Sequence, residues 1–183
     1  QEYSSTFQKE MTELKESLQE KQHSASIDII TKILNKVKLQ QEEHLQSFFP
    51  KIFSGYRRKM SHGNEPHDFS DSNYGVLFTQ KYNNSQGHSI EINVIYSDAS
   101  IQDFSELIKN PRFVRGMKNT QIVKNNNYKA IETVSDDKTH YEQNIILSDS
   151  LMMTLISIGQ EQSSVLSDFI ALVNVEELQQ YLG

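Results

Sequence analysis

The closest grouping of residues that could bind a metal ion lies between residues 60 and 73. The candidate ligands are His62, His67, Asp68 and Asp71. Two imidazoles and a carboxylate are ligands that transition metals accept. However, the spacing is not that of a His-Glu-x-x-His helix, since Gly63 and Pro66 oppose the helical turn that puts two imidazoles on one face. We therefore expect a solvated loop here, with a metal site as the alternative.

Other catalytic signatures are missing from the sequence. The chain has no cysteine, which excludes disulfides, thiolate catalysis and cysteine-based zinc sites. It contains no Gly-x-Ser-x-Gly elbow and no glycine-rich phosphate loop. Adjacent carboxylates such as Glu42 and Glu43 point about 100° apart on a helix, so they cannot flank one bond. The sequence predicts no cofactor and favours a protein that is not an enzyme, although it leaves that question open.

Charge and hydropathy narrow the classes of partner and compartment. The 183 residues include 24 acidic and 18 basic side chains, a formal net charge of -6, and this disfavours nucleic acid as a partner. No apolar stretch approaches the roughly 20 residues that span a bilayer, so no transmembrane segment is predicted. The first residue given is Gln1, and we expect a removed signal peptide and a periplasmic or extracellular location.

The N-terminal quarter of the chain has the periodicity of two helices. Apolar side chains recur at steps of three and four residues, as one face of a helix requires. In the first helix they are Phe7, Met11, Leu14 and Leu18, and in the second they are Ile27, Ile30, Leu34 and Val37, with Leu45 further on. The short joint around Lys21 to Ser24 predicts a tight antiparallel return. We therefore predict a helical hairpin over residues 1–47, whose apolar stripes could contact a partner protein; the oligomeric state stays open.

Beyond residue 73 the period changes to two. Val76, Phe78 and Tyr82 fall on one face of a first strand, and IEINVIY, residues 90–96, alternates in the same way. Asp98 or Ser100 is placed to cap a helix that Asn110-Pro111 ends, and four further strands follow with polar turns between them. Residues 48–183 therefore predict an α+β domain: an antiparallel sheet of about six strands with helices on one face.

The segment FFPKIFSGY, residues 48–56, lies between the two parts. Pro50 cannot continue a helix, and Gly55 favours a turn. Its aromatic side chains would be costly to expose, so we predict a buried joint. A membrane-surface or ligand contact is the alternative, because three basic residues, 57–59, follow directly.

Several of these features together resemble an uncharacterised family of bacterial secreted or periplasmic proteins. They are Pro50 and Gly55-Tyr56 of the joint, Tyr82, IEINVIYSD at residues 90–98, Asn110-Pro111, YKAIET at residues 128–133 and LMMTLISIG at residues 151–159. The family has Trp where this chain has Tyr56, and a glycine turn where this chain has asparagines at residues 125–127. The resemblance implies a sheet-and-helix layout of the Mog1/PsbP-like class, whose members are mostly binding or assembly modules, but it implies no activity.

Two hypotheses of function follow from the sequence. The first is a non-catalytic binding or assembly module that acts outside the cytoplasm. The second is a metal-binding protein, or a metal-assisted hydrolase, that uses the loop at residues 62–71. The first accounts for the missing catalytic motifs and for the apolar stripes of the hairpin, whereas the second depends on the loop histidines alone.

Overall fold

A computed structural model of the chain describes residues 2–59, 75–159 and 163–182, with side chains from Phe7 onward. The chain forms two compact units, residues 1–46 and residues 47–183. The first is helical, and the second contains one sheet with helices packed on it.

The first unit is built from two helices, α1 (Glu2–Gln19) and α2 (His23–Ser47), of which α2 runs one residue past the boundary. The chain reverses between them at Lys21, whose φ of 58° is left-handed, and the amide of Gln22 donates to the carbonyl of Ser17 at 2.8 Å. The predicted tight return is therefore confirmed. Polar groups take part in the contact between the helices: the hydroxyls of Ser17 and Ser26 are 2.8 Å apart, and Lys36 forms an ion pair with Glu10 at 2.5 Å. The apolar side chains of Ile29 and Ile33 are half-buried on the same side of α2.

The second unit contains one open sheet of eight strands. The strands are β1 (Ile52–Phe53), β2 (Tyr56–Arg58), β3 (Val76–Asn83), β4 (Ser89–Tyr96), β5 (Thr120–Asn125), β6 (Tyr128–Val134), β7 (His140–Ser148) and β8 (Leu151–Ile158). Their order in the sheet is β1-β2-β3-β4-β8-β7-β6-β5, and every neighbouring pair is antiparallel. The α+β class and the antiparallel sheet are thus as predicted.

The strand number differs from the prediction of about six. The two additional strands, β1 and β2, come from the aromatic joint and form a hairpin of their own. Its turn is Ser54-Gly55, with φ of 43° and 85°, which a glycine tolerates at no steric cost. Strands of two and three residues are too short to show an alternating pattern, so periodicity alone does not reveal them.

Four helices complete the second unit: α3 (Ala99–Lys109), α4 (Pro111–Val114), α5 (Ser164–Ile170) and α6 (Val175–Leu182). Asp98 caps α3, because its carboxylate accepts a hydrogen bond from the amide of Ser100 at 2.9 Å. Pro111 begins α4 directly after α3 has ended, as Asn110-Pro111 predicted. At α6, the side chain of Asn174 accepts from the amide of Glu177.

Helices on one face of the sheet were predicted, and burial shows that both faces are covered in one part of it. In β6 the three consecutive residues Ala130, Ile131 and Glu132 are all buried, and so are residues 151–155 of β8. Because consecutive strand residues point to opposite faces, both faces of this part of the sheet must be covered. Helix α3 lies against β6 and β7, and α5 lies against β5 and β8. By contrast, β3 alternates between buried and exposed residues, as one wet face predicts.

The aromatic joint packs into the sheet unit. Phe48, Phe49, Phe53 and Tyr56 are all buried, which confirms the predicted burial of the aromatic side chains. The ring of Phe49 stacks on Phe78, and Phe53 meets Phe169 edge-on at a centroid distance of 5.5 Å. Ile52 is the exception: it is 62% exposed, because it alternates with Phe53 on an edge strand.

Two hydrogen bonds fasten the joint further. The hydroxyl of Tyr82 donates to the carbonyl of Pro50 at 2.7 Å, and the guanidinium of Arg58 donates to the carbonyl of Phe49 at 2.5 Å. Burial raises the pKa of the Tyr82 hydroxyl, and this outweighs the lowering that Arg58 causes. At least one of the three basic residues after the joint thus serves the fold itself, rather than facing a membrane or ligand.

Candidate functional site

The predicted metal ligands His62, His67, Asp68 and Asp71 all lie outside the described residues. Across residues 2–59, 75–159 and 163–182, no group of three or more His, Asp or Glu side chains is placed to hold a metal ion. The candidate sites among the described residues are therefore elsewhere: an exposed apolar surface on the hairpin and a polar cavity beside the sheet.

The apolar stripes of the hairpin are exposed. Eight large apolar side chains of the hairpin are between 41% and 63% exposed. One of them, Leu39, lies about 160° around α2 from the predicted stripe. The other seven are Phe7, Met11, Leu18, Ile27, Ile30, Leu34 and Val37. They are most of the two stripes that the sequence predicted; Leu14 is half-buried and Leu45 is buried. We call these seven side chains the hairpin surface. The small and charged residues Ser17, Ser26 and Glu10, in contrast, lie in the contact between the helices.

Helix geometry places the seven side chains on one side of the hairpin. At 100° per residue, the α1 stripe lies about 90° around its axis from the contact positions Glu10 and Ser17. The α2 stripe lies about 100° from Ser26 and Lys36, in the same rotational sense. Because the helices run antiparallel, equal senses of rotation point both stripes to the same side. The hairpin therefore has one continuous apolar side.

The charged residues are distributed unevenly around the hairpin surface. At 100° per residue, Lys15 follows the α1 stripe on its outer edge, and Lys38 takes the corresponding place on α2. The acidic residues Glu13, Glu16 and Glu20 lie on the far side of α1. Each outer edge of the apolar side thus carries one lysine, and on α2 Glu42 lies beside Lys38, four residues further along the helix.

The second candidate is a cavity of about 660 Å³ beside the sheet. It lies at the edge formed by β5, β6 and β7, next to the start of α5. Its walls include Gln121, Glu132, Val134, Lys138, Tyr141 and Ser163. The registers of the three strands put Glu132 directly opposite Gln121 on one side and Gln143 on the other. The sheet therefore fixes a row of three polar side chains, of which Gln121 and Glu132 line the cavity.

Glu132 is the centre of this polar row. Its side chain is buried, with the residue only 2% exposed, yet it is a carboxylate. One oxygen accepts from the amide of Gln121 at 2.8 Å, and the other accepts from the amide of Gln143 at 2.7 Å. The carbonyl oxygen of Gln143 accepts in turn from Asn125 at 2.6 Å. Since a carboxylate only accepts, it sets the direction of this hydrogen-bond chain.

The rim of the cavity is a turn with several hydrogen bonds, residues 135–138. Hydrogen bonds from Lys118 and Asn119 hold the pKa of Asp136 below its ordinary value. The pKa of Asp137 is lowered in the same way, first by the hydroxyl of Ser135 and then by Thr139. Both carboxyls are charged and occupied at neutral pH, so they shape the rim of the cavity rather than offering a reactive group.

Sequence reasoning did not single out Glu132. The signal was the alternation in YKAIETV, where Glu132 shares a face with Ala130 and Val134. A charged side chain in such a row usually marks the wet face of a strand, and only the structure shows that this face is covered.

Comparisons with known proteins add no family to this description. No protein-family profile, no curated protein and no solved structure matches the chain. Within the residues that the structure covers, no helix is long and apolar enough to cross a membrane.

Proposed function

We propose that this protein is a non-catalytic binding or assembly module whose hairpin surface docks onto an amphipathic helix of a partner protein. The single observation that supports this is the arrangement of the hairpin: seven large apolar side chains are exposed on one side, away from the contact between the helices, which contains two serines, an ion pair and the half-buried Ile29 and Ile33. Two helices with a shared apolar side are an incomplete bundle, which a third helix from a partner would extend.

The size of the hairpin surface supports docking. The seven side chains expose on the order of 600 Å² together, at the upper end of the largest patch on a typical monomer. A standard interface buries roughly 800 Å² per partner, so the surface and its polar rim suffice for one. Scattered exposed apolar residues need no explanation, but seven on one side of two helices favour an interface.

Charge selects the kind of partner. The outer edge of α1 carries Lys15, so a partner helix with an acidic residue beside its apolar stripe fits best there. A second copy of the chain would bring another Lys15 edge, because Glu13, Glu16 and Glu20 lie on the far side of α1, and this is unfavourable. An anionic membrane is opposed by the net charge of -6.

The compartment and the family stay predictions within this proposal. We expect a secreted or periplasmic protein, and the resemblance to a bacterial family of the Mog1/PsbP-like class is consistent with a binding role. The alternative, a metal site at His62, His67, Asp68 and Asp71, is tested by elemental analysis of protein purified without a histidine tag. Zinc or calcium at a stoichiometric level would establish that alternative.

The docking proposal is tested with model helices and one pair of variants. Two amphipathic peptides share an apolar stripe but carry either glutamates or lysines along its edges, and their binding is measured by fluorescence anisotropy. Leu34→Glu puts a charge into the hairpin surface. Asn35→Glu makes the same change of charge at the next residue, which lies on another side of α2.

The expected result is that the acidic-edged peptide binds the wild type and Asn35→Glu, and that Leu34→Glu weakens this binding at least tenfold. Equal binding by both variants, or a preference for the lysine-edged peptide, contradicts the proposal. Two controls detect other occupants. A mass in solution that doubles with concentration and is halved by Leu34→Glu indicates a second copy, and cosedimentation with anionic vesicles that Leu34→Glu abolishes indicates a membrane; either would replace the partner helix.

A further inference from the structure

The cavity beside β5, β6 and β7 contains a buried carboxyl group for which the described residues provide no cationic partner. Glu132 is only 2% exposed, and among the described residues it forms no ion pair; the amides of Gln121 and Gln143 are its hydrogen-bond donors. Buried carboxylates are costly unless they are paired. A residue that only filled this position in the sheet would be apolar, as Ala130 and Val134 are on the same face.

We propose that this cavity binds a small organic cation of the amine or guanidinium class, whose charged group pairs with Glu132. A carboxylate offers about four acceptor positions, and the two glutamines use one on each oxygen. Further N–H donors can therefore bind without displacing either amide. The two glutamines hold the carboxylate in a fixed orientation, which suits the planar and directional donors of a guanidinium.

The cavity has the size and the lining for such a ligand. Its volume of about 660 Å³ lies within the range of small-molecule sites. Val134 and the ring of Tyr141 offer apolar walls to the carbon chain of a ligand, and the side chain of Lys138 stands at the rim. A ligand that carries an anion at its other end would meet this lysine, so zwitterions such as amino acids fall within the proposed class.

A metal ion fits the same cavity poorly. Calcium takes six to eight oxygen ligands and magnesium takes close to six. Glu132 is one carboxylate, its nearest partners are amide donors, and no metal-holding cluster occurs in the described part of the chain. A cavity of this volume is also far larger than one ion requires. The free acceptor positions of Glu132 suit the N–H donors of an organic cation better than a bare metal ion.

To test the proposal, the full chain is titrated with agmatine, arginine and citrulline, and binding is measured by calorimetry. Citrulline has nearly the shape of arginine, but a neutral ureido group replaces the guanidinium. Glu132→Gln removes the charge and keeps the shape. Glu142→Gln is the matched control: it makes the same change on β7, at a residue on the opposite face of the sheet, where Glu142 accepts from Asn144 at 2.8 Å.

We expect agmatine and arginine to bind the wild type and Glu142→Gln, with citrulline at least tenfold weaker. Glu132→Gln should lose at least tenfold in affinity for both cations. No saturable binding of either cation up to about 10 mM, or equal binding by Glu132→Gln, overturns the proposal. Loss of binding in Glu142→Gln to the same extent also overturns it, because the effect would then not belong to the cavity.

A measurement on the wild type keeps the test decisive if Glu132→Gln fails to fold. The side-chain carboxyl carbon of Glu132, followed by NMR, should shift saturably with agmatine and not with citrulline; an unmoved signal rejects the site. This inference is independent of the docking of the hairpin. Leu34→Glu should abolish helix binding and leave agmatine affinity within about twofold, so that failure of one proposal does not count against the other.

Discussion

The hairpin and the sheet unit distribute polar and apolar side chains in opposite ways. In the hairpin, Ser17 and Ser26 are buried between the helices, while Ile27 and Leu34 face outward. In the sheet unit, large apolar side chains such as Phe169 and Ile92 are fully buried. Burial of apolar area is the main favourable term in folding. The sheet unit buries its large apolar side chains, whereas the hairpin leaves many of its own exposed, as the surface of an interface does before the partner binds.

The sheet unit also contains buried polar side chains. Its buried polar row, centred on Glu132, lies where the cavity reaches the sheet. Polar groups that face inward in an otherwise apolar core cost stability unless their hydrogen bonds are complete. The same comparison therefore identifies two candidate sites: exposed apolar residues on the hairpin, and a buried carboxyl group in the sheet unit.

The largest expected effect comes from comparing one phenylalanine in each unit. Phe169 is fully buried and its ring contacts both Phe53 and Tyr82, so Phe169→Ala should lower the free energy of unfolding by about 3–5 kcal/mol. Phe7 is 41% exposed, and Phe7→Ala should change it by less than about 1 kcal/mol. Urea unfolding of both variants measures the difference. Similar losses in the two would mean that the hairpin surface is covered.

A smaller effect is expected at the hydroxyl that fastens the joint to the sheet. Tyr82→Phe removes the 2.7 Å hydrogen bond to Pro50 and should cost about 1 kcal/mol at pH 7. Burial raises the pKa of Tyr82 in the folded state, so the unfolded chain loses this proton first and the wild type loses stability as pH rises above about 10.

Tyr82→Phe should therefore lose less stability than the wild type between about pH 10 and pH 11. Urea unfolding at a series of alkaline pH values, monitored by circular dichroism, gives both quantities. An identical alkaline slope in the two proteins would show that the hydroxyl is not buried as described.

The smallest effect is expected at an exposed helix cap. Hydrogen bonds from Ser100 lower the pKa of Asp98, so its contribution is present above the unfolded value of 3.8 and is lost as pH falls below it. Asp98→Asn still accepts a hydrogen bond but does not titrate there. It should show a shallower loss of stability below about pH 4 than the wild type, measured by thermal unfolding. A steeper loss would contradict the assignment of the cap.

Periodicity predicted the long elements well because their patterns extend over many residues. The alternation in β3 and β4 and the stop at Asn110-Pro111 were predicted correctly from sequence, and of the two cap residues left open, Asp98 and Ser100, the structure shows Asp98. The two strands of the joint were not, since two or three residues carry no period. The burial of their aromatic residues was nevertheless predicted correctly.

What the sequence could not decide was which of two possible faces is covered. Helix α2 has apolar residues on two sides: Ile29 and Ile33 are half-buried near the helix contact, while Ile30 and Leu34 are exposed. Either set fits a helical stripe. The same ambiguity applies to Glu132 in β6, because the sequence of a strand divides its residues between two faces but does not say which face is buried. The stripes of the hairpin were predicted from sequence, but their exposure was not, and the cavity beside Glu132 was not located because its position depends on which face is covered.

The central claim, that Ser26 is buried between the helices while the neighbouring Ile27 faces outward, is tested most directly by thiol labelling at these two residues. The chain has no cysteine, so Ser26→Cys and Ile27→Cys each introduce a single reporter. Ser26 is 2% exposed and Ile27 is 63% exposed. With a maleimide reagent under native conditions, the Ile27→Cys variant should react at least tenfold faster than the Ser26→Cys variant. Equal rates, or protection of the Ile27→Cys variant, would contradict the account.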